Sequence, residues 1–179
     1  GQLKDPATAW SGEDTGLFLG GAVHYEIGET GEDTVNGDFL RWTGDVTFES
    51  NGFGVLAAVY GNHTDMDSGA DFDDYGLLVE GGYFLVPDEV QPFVRYELLV
   101  QDDARGDVMA GSSEEHTSVI TAGFNWYQRK HASKFTADVV YGVDPLRSIV
   151  NTSSGLGLRE DAPEEDGQIA VRAQYQITF

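Results

Sequence analysis

The sequence predicts an all-β protein, an antiparallel up-and-down transmembrane β-barrel with eight strands in this chain. Apolar and polar residues alternate with a period of two along most of the 179 residues. Glycine is abundant, with 23 residues, and proline is scarce, with 5, a composition that favours strands and turns over helices. The connections between the predicted strands alternate between short and long, as is typical of outer-membrane barrels.

The alternation predicts eight strands joined by three short turns and four long loops. The strands are expected at 15–27, 38–49, 53–62, 75–85, 91–101, 116–128, 135–142 and 167–179. Asn51-Gly52 favours a tight hairpin turn because both residues tolerate positive φ angles. The other short turns are expected at 86–90 and 129–134, and the long loops at 28–37, 63–74, 102–115 and 143–166. In an up-and-down sheet, all the long loops then lie at one rim and all the short turns at the other.

We expect one domain, an outer-membrane barrel over 15–179 that follows a periplasmic amino-terminal segment over 1–14, with both ends periplasmic. The first residues carry no basic-then-apolar signal, so either a signal peptide has been removed or the sequence is a fragment. No apolar run approaches the ~18 residues of a transmembrane helix. The absence of cysteine excludes a disulfide framework and a thiolate metal site.

The chain is strongly acidic, with 31 acidic against 10 basic residues and a net charge of −21. This charge excludes nucleic acid as a partner. Of the acids, 20 fall in the segments 28–38, 63–74, 102–115 and 143–166, which form the long-loop rim. These acidic loops are either solvated or a binding surface. The expected partners are outer-membrane lipid, lipopolysaccharide, and small solutes or ions.

The last predicted strand is apolar on one face and ends in an aromatic residue. Its apolar face carries Ile169, Val171, Ala173, Tyr175, Ile177 and Phe179. The final part, Tyr175, Ile177 and Phe179, resembles the carboxyl-terminal assembly signal of bacterial outer-membrane proteins. That resemblance implies the barrel assembly machinery as a further partner.

Aromatic residues cluster near both ends of the predicted strands, as in the two girdles of membrane barrels. At the short-turn rim they are Phe48, Phe53, Tyr83, Phe93, Trp126, Phe135 and Tyr175. At the long-loop rim they are Tyr25, Trp42, Tyr60, Tyr75 and Tyr141. This placement favours an apolar face that points outward to lipid over the apolar interior of a soluble barrel.

The opposite face mixes charges of both signs, which suits a polar lumen where each charge needs a partner. The predicted lumen-lining residues are Glu26, Arg41, Asp45, Glu49, Glu80, Arg95, Glu97, Asp138 and Arg172, and His24 shares their parity. The third strand is apolar on both faces, so its orientation is open.

Two stretches resemble the family of phosphate-selective porins O and P. The first is Gly81-Gly82-Tyr83-Phe84-Leu85-Val86-Pro87, followed by Gln91-Pro92-Phe93-Val94-Arg95-Tyr96-Glu97. The second is Ala122-Gly123-Phe124-Asn125-Trp126-Tyr127, followed by a basic turn, by Val140-Tyr141-Gly142 and by Gln174-Tyr175-Gln176-Ile177-Thr178-Phe179. The resemblance implies a porin in which this chain matches the carboxyl-terminal half of a sixteen-stranded barrel. Phosphate selectivity in that family depends on basic pore residues. Three arginines against six acids predict instead a passive channel that prefers cations.

One candidate metal site lies in the predicted loop 63–74, where Asp65, Asp67, Asp71 and Asp73 alternate around Gly69. Oxygen-rich flexible loops suit Ca²⁺, although the loop lacks the terminal bidentate glutamate of an EF-hand. A solvated acidic loop is the alternative, and no other cofactor is expected.

The chain is not expected to be an enzyme. His116 and Ser118 share one face near the long-loop rim, but residues two apart on a strand lie ~7 Å apart and no acid partner is evident. The functional hypotheses are therefore a porin-type channel or half barrel, a closed eight-stranded structural or adhesion barrel acting through its acidic loops, and, remotely, an outer-membrane lipid hydrolase.

Overall fold

The structure, a computed structural model, describes residues 8–27, 37–67, 69, 71–102, 116–144, 158 and 167–178. It contains eight strands: β1 Gly16–Glu26, β2 Gly37–Ser50, β3 Phe53–Met66, β4 Asp71–Tyr83, β5 Val90–Val100, β6 His116–Tyr127, β7 Ser133–Gly142 and β8 Ile169–Ile177. They form one antiparallel sheet in chain order. The predicted up-and-down arrangement of eight strands is therefore confirmed. No helix in the described part of the chain is long and apolar enough to cross a membrane.

The sheet is open. Its outermost strands, β1 and β8, pair with β2 and β7 respectively and not with each other. Side chains on β1 are exposed almost throughout, including Leu19 at 78% and Val23 at 74%. Among the described residues, both long edges of the sheet therefore present unpaired backbone groups.

Cross-strand register assigns every side chain to a face, because directly opposed residues of an antiparallel pair point to the same side. Along the outer face, Trp126 opposes Phe135 and Phe135 opposes Tyr175. Along the inner face, Asp138 opposes Arg172. The register also orients β3, which alternation alone left open. Leu56 opposes Glu80 and therefore lies on the inner face.

The inner face is concave, and over β4 to β7 its side chains are buried or half-buried, whereas the outer face carries exposed apolar side chains. On β6 and β7 the inner residues Val119, Thr121 and Val140 are at most 3% exposed, and the outer residues Ile120 and Val139 are 38% and 44% exposed. Leu158, from the connection between β7 and β8, packs against Val119 and Val140 on the inner side. The apolar face of this sheet is thus the exposed one.

Each short turn contains a residue with positive φ. Asn51 and Gly52 have φ angles of 41° and 86°, so both residues supply the left-handed conformation that a two-residue hairpin turn needs. Asp88, between β4 and β5, and Lys130, between β6 and β7, have φ angles of 61° and 49°. The predicted Asn51-Gly52 turn is therefore confirmed.

The prediction that 63–74 forms a loop is wrong, because β3 and β4 continue four residues further than expected on each side. Thr64 and Phe72 oppose each other on the inner face and are 2% and 4% exposed. On the outer face His63 pairs with Asp73 at 3.0 Å. These cross-strand contacts extend the hairpin to Met66 on β3 and Asp71 on β4.

Two of the predicted girdle aromatics, Phe93 and Tyr60, lie on the inner face instead. Phe93 opposes Gly82 on one side and Gly123 on the other. The ring of Tyr60 covers Gly76, its direct partner on β4. Gly76 leaves the space that the inward Tyr60 ring occupies, a pairing that alternation in a single strand does not show.

We predict that Gly76→Ala lowers the free energy of unfolding by about 1–3 kcal/mol, because a Cβ at this position would overlap the Tyr60 ring and force it to shift. Gly44→Ala is the matched control, since its Cβ would meet only Val59 Cγ2, at 3.9 Å. Urea unfolding of the folded protein measures both. Equal midpoints for the two variants would contradict the packing of Tyr60 on Gly76.

Candidate functional site

The predicted lumen residues all lie on the inner face of the sheet. Arg41 directly opposes His24, Glu80 opposes Arg95, and Asp138 opposes Arg172. Asp45 opposes Gly20, Glu49 opposes Gly16, Glu26 opposes Phe39, and Glu97 opposes Val119. The sheet therefore brings together residues from six of its eight strands on one polar surface. That these residues line a lumen stays a prediction.

Two arginines on this face are paired with carboxylates. Arg95 Nε donates to Glu80 Oε2 at 2.6 Å, and Arg172 Nε donates to Asp138 Oδ1 at 2.7 Å. The acids are the better buried partners, with Glu80 12% and Asp138 10% exposed. Opposite charges at directly opposed positions of neighbouring strands account for both pairs.

Glu97 connects these two pairs into what we call the charged belt: Glu80, Arg95, Glu97, Arg172 and Asp138. It is within electrostatic reach of both Arg95 and Arg172. Its Oε2 atom is buried and has no hydrogen-bond partner in the described part of the chain. The belt places three acids and two bases at mid-height of the inner face, so that its formal charge is negative when all five ionise.

Closer to the long-loop rim, the third arginine contacts an amide. Arg41 Nε donates to Asn62 Oδ1 at 3.1 Å, and its guanidinium lies 5.3 Å from the Phe39 ring centroid. His24 Nε2 lies 3.6 Å from Glu26 Oε2. Arg41 and His24 are exposed on this face.

Of the six predicted inner-face acids, Glu80 and Asp138 hold arginines in the pairs above. Glu26, Asp45, Glu49 and Glu97 remain outside those pairs, together with Arg41. A concave surface with this excess of carboxylates attracts cations and repels anions. When all of these groups are ionised, the six acids outnumber the three arginines and give the inner face a net negative charge.

The predicted calcium residues lie on the other side of the sheet. Asp65, Asp71 and Asp73 are on the outer face of the extended β3–β4 hairpin, and Asp67 is in its turn. Asp65 opposes both Asp71 and Asp38. Among the described residues, no three acidic or histidine side chains are arranged to hold a metal ion. Calcium binding therefore stays a prediction.

This outer acidic row, Asp38, Asp65 and Asp71, stands at the tip of the hairpin, beyond the aromatic residues of the long-loop rim. The facing charge of Asp71 is the main cause that raises the pKa of Asp65, and desolvation and Asp38 act in the same direction. The row is thus a site of like-charge repulsion.

His116 and Ser118 lie on the outer face, as predicted, and an acid that the sequence analysis missed lies beside them. Asp144 follows β7, and its carboxylate accepts from the Ser118 backbone N–H at 2.8 Å and lies 3.7 Å from His116 Nε2. The Ser118 hydroxyl instead accepts from Tyr96 at 3.3 Å. No hydrogen bond between Ser118 and His116 is seen among the described residues. The expectation that the chain is not an enzyme stays untested.

The predicted assembly residues Tyr175 and Ile177 lie on the outer face and are about half exposed. The Tyr175 hydroxyl contacts Gln128 at 2.7 Å and Ser133 at 2.9 Å, which ties β8 to the turn between β6 and β7. Phe179 lies outside the described residues.

No family model, no curated protein and no solved structure matches this chain. The resemblance to the porin O and P family therefore rests on the sequence motifs alone.

We predict that Asp138→Ala lowers the free energy of unfolding by about 1–3 kcal/mol, because it leaves the half-buried Arg172 guanidinium without its carboxylate. In the double variant Asp138→Ala with Arg172→Ala, part of this loss should be recovered, and denaturant unfolding of both variants measures the coupling. Strict additivity of the two single substitutions would show that the ion pair contributes nothing to the inner face.

Proposed function

We propose that this chain forms part of the wall of a porin-type channel in the bacterial outer membrane, a passive path that prefers cations. The observation that carries the proposal is the inverted distribution of polarity. The exposed outer face is apolar, and the concave inner face holds the charged belt. Water on the inside and lipid on the outside account for both faces at once.

The outer face supports contact with lipid through its rows of aromatic side chains. Trp126, Phe135 and Tyr175 oppose one another directly on β6, β7 and β8 near the short turns. Trp42 and Tyr75 lie 6.5 Å apart, centroid to centroid, near the other rim. Aromatic side chains at two levels suit the two membrane–water interfaces. The short turns would then be periplasmic and the acidic loops extracellular.

The open edges support a wall that is wider than eight strands. In lipid, unpaired backbone N–H and C=O groups are too costly to persist, so β1 and β8 must both be paired there. An eight-stranded barrel has an interior just large enough for its own side chains. Here the inner side also takes up Leu158, which contacts β6 and β7. Further strands between β8 and β1 would provide the room, in agreement with the half-barrel that the porin resemblance implies.

A closed eight-stranded barrel without a pore is the second candidate. It is favoured by one observation, the ion pairs Glu80–Arg95 and Asp138–Arg172, which could fill a narrow interior. In that case β1 and β8 would pair with each other, and the acidic loops would carry the function.

The first prediction of the proposal concerns the lipid face. Leu98 lies on the outer face of β5 beside Glu97 on the inner face. Leu98→Arg should cost about 2–4 kcal/mol of folding free energy in lipid bilayers, because it places a charge in the hydrocarbon region. Glu97→Gln, its neighbour in sequence, should cost less. Equal tolerance at the two positions in vesicle unfolding experiments would contradict a membrane-spanning β5.

The second prediction concerns the edges, and the absence of cysteine makes it straightforward to test. Val139 and Val171 are direct partners on β7 and β8, so the double variant Val139→Cys with Val171→Cys should form an intramolecular disulfide. Variants that combine Val171→Cys with Leu19→Cys, Gly21→Cys or Val23→Cys on β1 should not. An intramolecular disulfide from β1 to β8 would establish the closed barrel.

The third prediction concerns transport and is the direct test of the proposed function. Folded protein in a planar bilayer under a KCl gradient should give a reversal potential that indicates cation preference. The preference should weaken with salt, because the Debye length falls from ~30 Å at 0.01 M to ~3 Å at 1 M. Chloride preference at low salt would refute the selectivity, and a complete absence of conductance would favour the closed barrel.

A further inference from the structure

The segment that precedes β1 lies across the short-turn rim. We call residues 8–13 the strap. Thr8, Ala9 and Trp10 are 2%, 0% and 6% exposed, although none of them belongs to a strand. Such burial of a short irregular segment requires that the rim of the sheet encloses it.

Trp10 is the centre of the strap's contacts. Its ring lies 5.4 Å from Phe84, 5.0 Å from Tyr127 and 5.2 Å from His131, centroid to centroid. Lys130 Nζ lies 4.9 Å from the same ring. The three aromatic partners come from the ends of β4 and β6 and from the turn after β6, so one side chain joins two of the three short turns.

Hydrogen bonds fix the strap to the remaining turn and to the inner face. The Gly12 N–H donates to Asn51 Oδ1 at 2.9 Å, and the Ser11 N–H donates to Asp88 Oδ1 at 2.7 Å. The Thr8 hydroxyl lies 3.2 Å from the Tyr127 hydroxyl, which donates to Gln91 at 3.0 Å. The strap therefore contacts all three short turns, and its first residue lies against side chains of the inner face.

Inner-face side chains next to the strap are closely packed. Glu49, Gln91 and Tyr127, near the short turns, are at most 4% exposed. On the same face toward the long loops, Arg41 and Tyr60 are exposed, whereas Thr64 and Phe72 are buried. The strap therefore lies against a filled part of the inner face.

We propose that the strap is the constriction of the passage, and that Trp10 is the residue that holds it across the short-turn mouth. This inference rests on the proposed channel function for its effect on transport, but the position of the strap itself does not. Small hydrated ions that enter through the long-loop end must then pass beside Thr8, Ala9 and the inward Tyr127 hydroxyl to leave.

The position of the strap is tested first by thiol labelling, which needs no conductance. Since the chain contains no cysteine, Ala9→Cys and Asp14→Cys each introduce a single thiol, one buried and one exposed. A water-soluble thiol reagent should label Cys at position 9 at least ~10-fold more slowly than Cys at position 14 in the folded protein. Adding Trp10→Ala should remove most of that difference. Equal labelling rates without Trp10→Ala would overturn the proposal.

The effect on transport is tested by single-channel conductance in planar bilayers. Trp10→Ala should raise the conductance, because the strap is released from the mouth. Trp126→Ala is the matched control, since Trp126 is on the outer face, and it should leave conductance unchanged. Slow labelling at position 9 with unchanged conductance in Trp10→Ala would show a buried strap that is not the constriction. Slow labelling with no conductance in any variant would refute the channel and, with it, the constriction.

Discussion

The two-residue period of the strand, kept in register through seven antiparallel pairings, is the constraint on which the rest of this structure depends. A shift of one residue in a single pairing would move a whole row of side chains to the opposite face. The register instead aligns Glu80 with Arg95 and Asp138 with Arg172 on the inner side, and Trp126 with Phe135 and Tyr175 on the outer side. The polar groove, the apolar exterior and the belt of ion pairs all follow from that alignment.

Glycines lie opposite several large side chains, at positions where a second side chain would overlap the first. The outward Trp42 ring covers Gly61, and the inward Tyr60 ring covers Gly76, each its direct cross-strand partner. Gly20 leaves the space into which the Asp45 carboxylate extends. These close approaches let large side chains lie along the wall, and they leave the centre of the concave side to the charges.

Much of the fold and the face of every predicted charge could be read from the sequence, because alternation and the Asn51-Gly52 turn are local signals. What failed depends on neighbours in space. The inward Tyr60 ring lies over Gly76 of the neighbouring strand, and residues 63–66 and 71–74 are strand where Thr64 and Phe72 bury each other. Asp144 reaches His116 only through the fold. Trp10 has no periodic neighbours, so nothing in its local sequence indicated the aromatic cluster that it occupies.

The two open edges have a kinetic consequence. An unpaired edge in water pairs with whatever strand it meets, and this is the main route by which β-sheets aggregate. For β1 and β8, the rate at which each edge finds its correct partner strand must therefore exceed the rate of such encounters. If the strands that pair with these edges belong to the same polypeptide, the rate of correct pairing does not depend on protein concentration. If they belong to a second molecule, that rate falls as the protein is diluted. The concentration dependence of folding yield thus reports whether these edges are paired within one molecule or between two.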